Sequence, residues 1–336
     1  MKKSRTREKL SKKAEYEPSF ASKILLNLIF LILVGILLGS LYFLYTNIPG
    51  EPQVLDVDVG RISESKPRLS EVRQFYTNMK FNHNDISYAF LPNCGSAEKA
   101  RMKEAFQEVS LRITKISFRE VSSQGDITIS CTEKSENIQE DFFVAGEGGA
   151  KEIIPTGRYN IINQGIIYLY DNPKKRTVKC DYPNIEVHEL MHVFGFDHSE
   201  NKDSLMYPVL DTCDQTLDES IAKDLNELYS HKNAADLYFE NVYVVKKGRY
   251  LDFNVTIKNS GAVNSDYTEL HVLDNGEIIE SYDIEPIKYG GGLFLQINNL
   301  RLERRNPSSI QFVIDMETVV DEIDEDNNVA IVKIAI

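Results

Sequence analysis

The 336-residue chain contains no tryptophan and only four cysteines. None of the cysteines lies in a CxxC pair, so a zinc ribbon or a thiol redox motif is not expected. Positive charge is also scarce outside the N-terminus. The formal net charge is −13, and residues 1–23 alone carry +5, which leaves the remainder near −18. So acidic a chain argues against nucleic acid as a partner.

An uncharged run over 24–45 follows the basic leader 1–23. At about 1.5 Å per residue, a helix of this length spans a bilayer core of about 30 Å. The core of a cleaved signal peptide is shorter, roughly 7 to 15 residues. We therefore expect a single membrane-spanning helix, with the leader in the cytoplasm and everything after Thr46 outside the membrane. A cleaved signal and a buried core helix remain as alternatives.

The sequence between residues 46 and 232 indicates a linker followed by one folded unit. Prolines such as Pro49 and Pro52, with few apolar clusters, predict a stalk or linker over 46–84. From 85 to 232 the order strand, helix, strands, helix, helix predicts one α/β unit. Helices are predicted over 96–114, 183–195 and 217–229, and a glycine-rich bend over 146–149.

Residues 235–336 contain seven candidate strands, which predict an all-β immunoglobulin-like sandwich. Apolar residues alternate over 251–257, and Asp274-Asn275-Gly276 is a strong hairpin turn. This region has neither cysteine nor tryptophan. The disulfide and the packed indole of antibody domains are therefore excluded, and the core must consist of aliphatic and aromatic side chains.

Three histidines at fixed offsets form the most specific chemical pattern in the chain. His188 and His192 are four residues apart on a predicted helix, so both project from one face and can hold one Zn²⁺. Glu189 lies beside them and can take a proton from water instead of binding the metal. Gly195 ends the helix and lets the chain turn so that His198 supplies a third nitrogen. Three protein ligands leave an open position, as catalytic zinc sites require.

The full HExxHxxGxxH pattern is followed by Ser204-Leu205-Met206-Tyr207-Pro208 and resembles the metzincin metalloproteases. Asp197, Ser199 and the turn around Met206 (the Met-turn) make it similar to the matrixin branch. The resemblance implies an α+β catalytic domain with a mixed sheet and three helices, which hydrolyses a protein or peptide substrate. It also implies that the three histidines bind zinc, that Glu189 is the general base and acid, and that Met206 forms a hydrophobic floor under the metal.

Departures from matrixins limit what the resemblance implies. The other histidines, His83, His231 and His271, are scattered, so a second, structural zinc site is not expected. No cysteine occurs in 46–84, so latency through a cysteine thiolate is not expected either. Pro208 stands where some metzincins have a mobile tyrosine ligand. The pocket wall Val209-Leu210-Asp211 lacks the aromatic residue of many matrixins, so no subsite preference carries over.

The matrixin-like fold implies a substrate strand and two disulfides. Substrate is expected to lie along an edge strand within 150–159. Neighbouring parallel strands would bring Cys94 close to Cys131. Cys180 precedes the helix of the motif and Cys213 follows the Met-turn, so a bond between them would pin the pocket wall. Four cysteines allow two other pairings, which stay open here.

The C-terminal region resembles the CARDB group of cell-adhesion-related sandwiches. The resemblance rests on Asp236-Leu237, Lys258-Asn259-Ser260-Gly261 and the acidic run 320–328. That run has the composition of a Ca²⁺ site, but a solvated turn is favoured. Asn254-Val255-Thr256 is a glycosylation sequon inside a predicted strand, and chance explains it equally well.

Taken together, the sequence predicts a membrane-anchored zinc endopeptidase that acts outside the cytoplasm. The sandwich would place the catalytic unit against a surface or a substrate, and a surface partner for it is possible. The alternative is a surface-binding or adhesion protein whose protease-like unit binds zinc without catalysis.

Overall fold

The computed structural model describes residues 20–61, 72–133, 137–139, 142–171, 180–210 and 212–334. Within them lie an apolar N-terminal helix, a mixed α/β domain and an antiparallel sandwich. Most of the basic leader and Asp211 of the pocket wall lie outside the described residues.

Helix α1 (Phe20–Asn47) is 28 residues long and has a mean hydropathy of 2.8 over its most apolar window. None of its residues is buried against the rest of the protein, which rules out the alternative of a buried core helix. In the described part of the chain, this helix is long and apolar enough to cross a membrane. Strand β1 (Pro52–Val59) follows it.

The α/β domain is built on a mixed sheet, as the sequence predicts. Its strand order is β2-β9-β5-β3-β4 with all pairs parallel, and β8 adds to β9 in the antiparallel direction. Strands β6 and β7 form a separate, antiparallel two-stranded sheet. The strands are β2 (Met79–Lys80), β3 (Asp85–Phe90), β4 (Ser117–Glu120), β5 (Ile127–Glu133), β6 (Asn137–Gln139), β7 (Phe142–Phe143), β8 (Gly146–Pro155) and β9 (Asn160–Asp171).

The three predicted helices of this domain are present as α2 (Ser96–Arg112), α3 (Asn184–Val193) and α4 (Glu219–Ser230). Helix α2 buries Met102, Ala105, Phe106 and Val109 on one face, and the Phe106 ring stacks on Tyr88 of the sheet at 4.1 Å. Each large side chain buried in this way contributes about 1.5–3 kcal/mol of transfer free energy. Helix α3 is buried along almost its whole length, so the histidine motif lies on a rigid element.

The sandwich contains the seven predicted strands and β1 in the order β13-β12-β15-β16-β1-β10-β11-β14. Phe253 and Phe312 meet in its core with ring centroids 4.8 Å apart, and apolar side chains from both halves form one cluster. The strands are β10 (Leu237–Lys247), β11 (Tyr250–Asn259), β12 (Thr268–Asp274), β13 (Glu277–Ile284), β14 (Gly292–Arg301), β15 (Ile310–Ile314) and β16 (Val329–Lys333).

The predicted stalk over 46–84 is wrong for its first part. The first half of β1 pairs with β10, from Pro52 opposite Lys247, and the second half pairs with β16, up to Val59 opposite Ala330. Its inward residues Leu55, Val57 and Val59 pack against the sandwich core. The alternation of these residues with Asp56 and Asp58 is a strand pattern that the flanking prolines obscured.

The last part of the predicted stalk, residues 72–84, belongs to the α/β domain. Val72, Met79 and Phe81 are 1% exposed and lie in its core. The domain therefore begins near residue 72 and not at 85. The burial of these residues arises from long-range contacts within the domain core, which local composition does not reveal.

The α/β domain is thus inserted between the first and second strands of the sandwich. Both of its ends meet one end of the sandwich, where Gly60 donates to the Val329 carbonyl at 3.2 Å and Ala235 pairs with Glu322. Helix α1 meets the opposite end. Strand β10 has 11 residues, so at about 3.3 Å per residue the sandwich separates the domain from α1 by roughly 35 Å.

Candidate metal centre

The three motif histidines converge on one point. His192 Nε2 lies 3.0 Å from His188 Nε2 and 3.2 Å from His198 Nε2. His188 and His192 are 5% and 8% exposed, whereas His198 is exposed. The cluster therefore has a buried floor and one side open to solvent.

Backbone contacts fix the rings so that these nitrogens face one another. His188 Nδ1 lies 2.7 Å from the Leu205 carbonyl, and His192 Nδ1 lies 2.7 Å from the Phe196 carbonyl. A carbonyl only accepts, so each Nδ1 carries the proton and each Nε2 presents a lone pair. Burial lowers the pKa of His188 to about 4 and also lowers the pKa of His192. Both rings are therefore neutral at pH 7, the form that binds metals.

This arrangement fits a divalent cation. Lone pairs that face one another at 3.0 Å repel unless a positive charge lies among them. Nitrogens about 2.0–2.1 Å from a tetrahedral Zn²⁺ would be roughly 3.3 Å apart, which is close to the observed spacing. The donor set of three imidazoles suits zinc better than calcium or magnesium.

A segment that the sequence analysis missed holds the turn between His192 and His198. Gly195 has a φ of +85°, and a Cβ there would lie 2.1 Å from Met79 Sδ, so only glycine fits. The Gln74 amide donates to the carbonyls of Met79 and Phe194 at 2.9 and 2.8 Å. No local sequence signal marks Gln74, because its partner Phe194 is far away along the chain.

The Met-turn is tied to both ends of the histidine motif. The Leu205 carbonyl accepts from His188, and the Met206 carbonyl accepts from Ser199 N–H at 2.8 Å. Met206 is fully buried. The Ser204 hydroxyl donates to Asp218 at the start of α4, so the turn is also fixed from below.

Glu189 is buried beside the histidines and faces strand β8. It is 6% exposed. Burial raises the pKa of its carboxyl to about 8, although the hydrogen bond from Gly148 N–H lowers this pKa. Gly148 has no room for a side chain, because a Cβ there would lie 2.0 Å from the Glu189 carbonyl oxygen. A nearby cation would lower this pKa, so an occupied site favours the carboxylate.

Strand β8 is the edge strand next to the motif. The expected substrate strand at 150–159 overlaps its second half, and residues 156–159 instead form the turn into β9. The predicted bend at 146–149 is wrong, since these residues lie inside β8. Gly146 and Gly148 serve close packing against α3 and not a turn, which is the other meaning of glycine in a strand.

Both expected disulfides are present. Cys94 and Cys131 have Cα atoms 4.7 Å apart, and Cys180 and Cys213 have Cα atoms 5.3 Å apart. The second bond joins the segment before α3 to the chain after the Met-turn. It therefore braces the wall of the cleft.

The remaining histidines do not gather around a metal in the described part of the chain. His83 Nε2 lies 3.0 Å from Asp126 in the α/β domain, and His271 Nδ1 lies 2.8 Å from the Ser281 hydroxyl in the sandwich. The sandwich also contains a group of three carboxylates within 4.8 Å of one another, Asp315, Glu322 and Glu325.

Protein donors already occupy much of this carboxylate group. The Asp315 carboxylate accepts from Val319 N–H at 3.0 Å and Val320 N–H at 2.9 Å, and Glu322 accepts from Leu237 N–H. Burial raises the pKa of Glu322 to about 8. Through these hydrogen bonds the acidic side chains stabilise the backbone around them. They supply no argument for a Ca²⁺ site.

Comparison with known proteins agrees with the two resemblances. The matrixin (peptidase M10) family model matches residues 80–230, and the CARDB family model matches residues 234–332. No curated protein matches the chain.

Two similar solved structures each match less than a third of this chain. One is the CARDB domain of the PF1109 protein from Pyrococcus furiosus in complex with di-metal ions, with 20% identity, a TM-score of 0.27, and coverage of 31% of this chain and 90% of that one. The other is a cell surface protein domain from Methanosarcina acetivorans, with 17% identity, a TM-score of 0.26, and coverage of 30% and 93%.

Proposed function

We propose that this chain, which combines a matrixin-like protease domain with a CARDB sandwich, is a zinc-dependent endopeptidase held at a membrane surface. The observation that carries the proposal is the convergence of three histidine nitrogens beside one buried glutamate. His188, His192 and His198 would hold the metal, and Glu189 would be the catalytic residue. The Met206 turn would support the metal from below.

The chemistry divides between the metal and the protein. A bound Zn²⁺ would polarise the scissile carbonyl and lower the pKa of water toward about 7. Glu189 would accept the proton of the attacking water and pass it to the leaving amine. The Gly148 N–H holds the Glu189 carboxylate, so the base stays oriented toward the cleft.

Strand β8 is the proposed substrate platform. Its partner β9 occupies one edge, and no other described strand pairs with the second edge. An extended peptide can add to such an edge through main-chain hydrogen bonds. Because β8 passes Glu189 at Gly148, a peptide along this edge would bring a carbonyl close to the general base.

Helix α1 is proposed to anchor the enzyme, with the basic leader in the cytoplasm and both folded domains outside it. The support is the length and apolarity of α1, the net charge of +5 before it and the two disulfides, which form in oxidising compartments. The sandwich then acts as a spacer of roughly 35 Å between bilayer and active site.

The test compares the full-length chain in detergent with Glu189→Gln and with the matched surface variant Glu219→Gln. We expect about one zinc per chain in all three, by mass spectrometry of the metal. Only Glu189→Gln should lose cleavage of unfolded casein, by about 10²-fold or more. Absence of zinc would reject the proposal. One zinc without cleavage that depends on Glu189 would favour the surface-binding alternative.

A further inference from the structure

Six basic side chains gather near the C-terminal end of α1, where the helix would leave the membrane. The segment 46–60, which leads from the end of α1 through β1, contains no lysine or arginine, so the sequence next to the helix gives no sign of them. Folding brings them there from the β10–β11 turn and from the end of β14. We call this group the basic collar; it consists of Lys246, Lys247, Arg249, Arg301, Arg304 and Arg305.

Direct contacts place the collar at the end of α1. Arg305 Nη1 donates to the carbonyls of Tyr45 and Ile48 at 2.8 and 2.9 Å, and its guanidinium lies 5.1 Å from the centre of the Tyr45 ring. Arg301 Nη2 donates to Asn47 Oδ1 at 3.3 Å. Cations suit the carbonyl end of a helix. Arg301 and Arg305 thus fix the collar to the end of α1.

Most of these charges have no carboxylate partner. In the described ranges, no carboxylate oxygen lies within 4.0 Å of a charged nitrogen of Arg301, Arg304, Arg305 or Lys246. Lys247 pairs with Asp252, and the Arg249 guanidinium donates to backbone carbonyls.

Like charges also crowd one another in the collar. Burial lowers the pKa of Lys246, and the nearby Arg305 lowers it further. Glu51 and Glu303 lie close to the collar residues but are solvent-exposed. Among the described residues, neither forms an ion pair with the collar. This concentration of positive charge occurs in a chain whose portion after residue 23 carries roughly −18. An external anion would relieve the local excess of cations.

We propose that the basic collar binds the phosphate groups of anionic glycerophospholipids in the leaflet from which α1 emerges. The inference rests on the proposed membrane placement of α1. A bilayer surface is the one anionic partner that this placement necessarily puts beside the collar, and arginine suits phosphate by its planar donors. Each basic residue near an anionic surface contributes about a five-fold gain in association.

Binding of lipid would set the orientation of the whole extracytoplasmic part. The sandwich would stand with its collar end on the bilayer. The α/β domain lies at the other end, so the active site would face away from the membrane at a fixed height. Without the collar, the short segment 48–51 between α1 and β1 would leave the tilt of the sandwich free.

The test uses the full-length chain in nanodiscs of phosphatidylcholine, either alone or mixed with the anionic lipid phosphatidylglycerol. The chain contains no tryptophan, so Asn306→Trp in the exposed loop after the collar is a unique fluorescent donor. We expect energy transfer to a dansyl lipid to be higher in the anionic discs and to fall at high salt.

Matched variants identify the source of the signal. Arg301→Gln with Arg304→Gln should weaken association with the surface roughly thirty-fold, so transfer in the anionic discs should fall toward the level in neutral discs. Lys258→Gln with Lys288→Gln removes two charges at the far end of the sandwich and should change nothing. Equal transfer in both lipids, or equal behaviour of the two double variants, would overturn the collar proposal.

Casein cleavage is a separate readout. It distinguishes failure of the collar proposal from misfolding of a variant and from failure of the proposed function. Casein cleavage by the collar variant should equal that of the parent, because the collar is far from Glu189. If the chain does not enter nanodiscs at all, the membrane placement is rejected and the collar with it. Loss of cleavage in every variant, with lipid dependence intact, would reject the protease and leave the collar standing.

Discussion

Arg158 Nε donates a hydrogen bond of 2.9 Å to the carboxylate of Asp236, which is completely buried where the two domains meet. Arg158 lies in the turn between β8 and β9, and Asp236 immediately precedes β10. The same carboxylate accepts from the hydroxyl of Ser260 and from the Asn327 amide at 3.2 Å. The sandwich therefore holds the tip of the hairpin whose first strand is the proposed substrate platform.

Replacement of Arg158 by Gln should destabilise the protein by about 3 kcal/mol, because it leaves the buried carboxylate of Asp236 without its cation. The matched control is Arg119→Gln, which breaks an ion pair with Asp85 that is more than half exposed, so it should change the unfolding free energy much less. Denaturant unfolding measures both. Equal losses would show that the Arg158 contact does not join the domains.

The close approach of β8 to Glu189 makes a second prediction. Gly148→Ala would place a Cβ 2.0 Å from the Glu189 carbonyl oxygen, so it should destabilise the domain by about 1–3 kcal/mol and displace the base, with loss of casein cleavage. Gly149→Ala meets nothing within 4 Å and should leave stability and cleavage unchanged. Thermal unfolding and the cleavage rate of the two variants decide; similar phenotypes would contradict the proposed packing.

Removal of the metal should expose the mutual repulsion of the three histidines. At free zinc about 1,000-fold above the dissociation constant, binding stabilises the folded state by about 4 kcal/mol, so a chelator should lower the Tm of the α/β domain. His198→Ala should abolish this shift, whereas His231→Gln, outside the cluster, should retain it. A chelator effect that persists in His198→Ala would place the metal elsewhere.

The motif and the helices around it could be predicted because their information is local. Four-residue spacing, Gly195 and the Met-turn each specify a short-range geometry. The assignments of β1 and Gln74 failed for the opposite reason: β1 pairs with β10 and β16, which follow the whole α/β domain, and the Gln74 amide reaches Phe194. A polar segment whose hydrogen bonds lie so far along the chain resembles a linker when only its composition is considered.

The same limit applies to the glycine-rich segment and to the basic collar. Glycines at 146–149 predict a turn unless one knows that Glu189 passes beside them. The collar is assembled from the β10–β11 turn and the end of β14, whereas the segment 46–60 that follows α1 contains no lysine or arginine. Surface electrostatics of this kind arise from the tertiary fold.

Asp126 should make the stability of the α/β domain sensitive to acid. Burial opposes its ionisation, but the hydrogen bonds from His83 and from Ser87, at 3.0 and 2.6 Å, outweigh burial and lower the pKa of Asp126 to about 2. The folded pKa lies below the ordinary value of 3.8. Solvent screens the partly exposed carboxylate, so this contribution amounts to about 1 kcal/mol; it is present above about pH 4 and is lost as the pH falls toward 2.

The measurement for Asp126 is denaturant unfolding of metal-free protein between about pH 5 and pH 2. The difference in unfolding free energy between the parent and Asp126→Asn should be largest at the upper end of this range and should shrink toward the lower end. Asp181→Asn, an exposed aspartate of the same domain, serves as the control and should give a small difference throughout. A difference for Asp126→Asn that does not change with pH would contradict the lowered pKa.

The insertion of the α/β domain into the sandwich makes β1 a structural strand, and two of its valines test this. Val57 points toward the sandwich core, whereas Val54 on the same strand is 63% exposed. Val57→Asp would bring a charge against that core and should destabilise the sandwich by about 2 kcal/mol or more. Val54→Asp should stay within about 0.5 kcal/mol. Both variants keep the length and the proline content of the segment, so a flexible stalk would respond equally to either. Unequal midpoints in denaturant unfolding of the full-length chain are therefore expected only if β1 completes the sandwich.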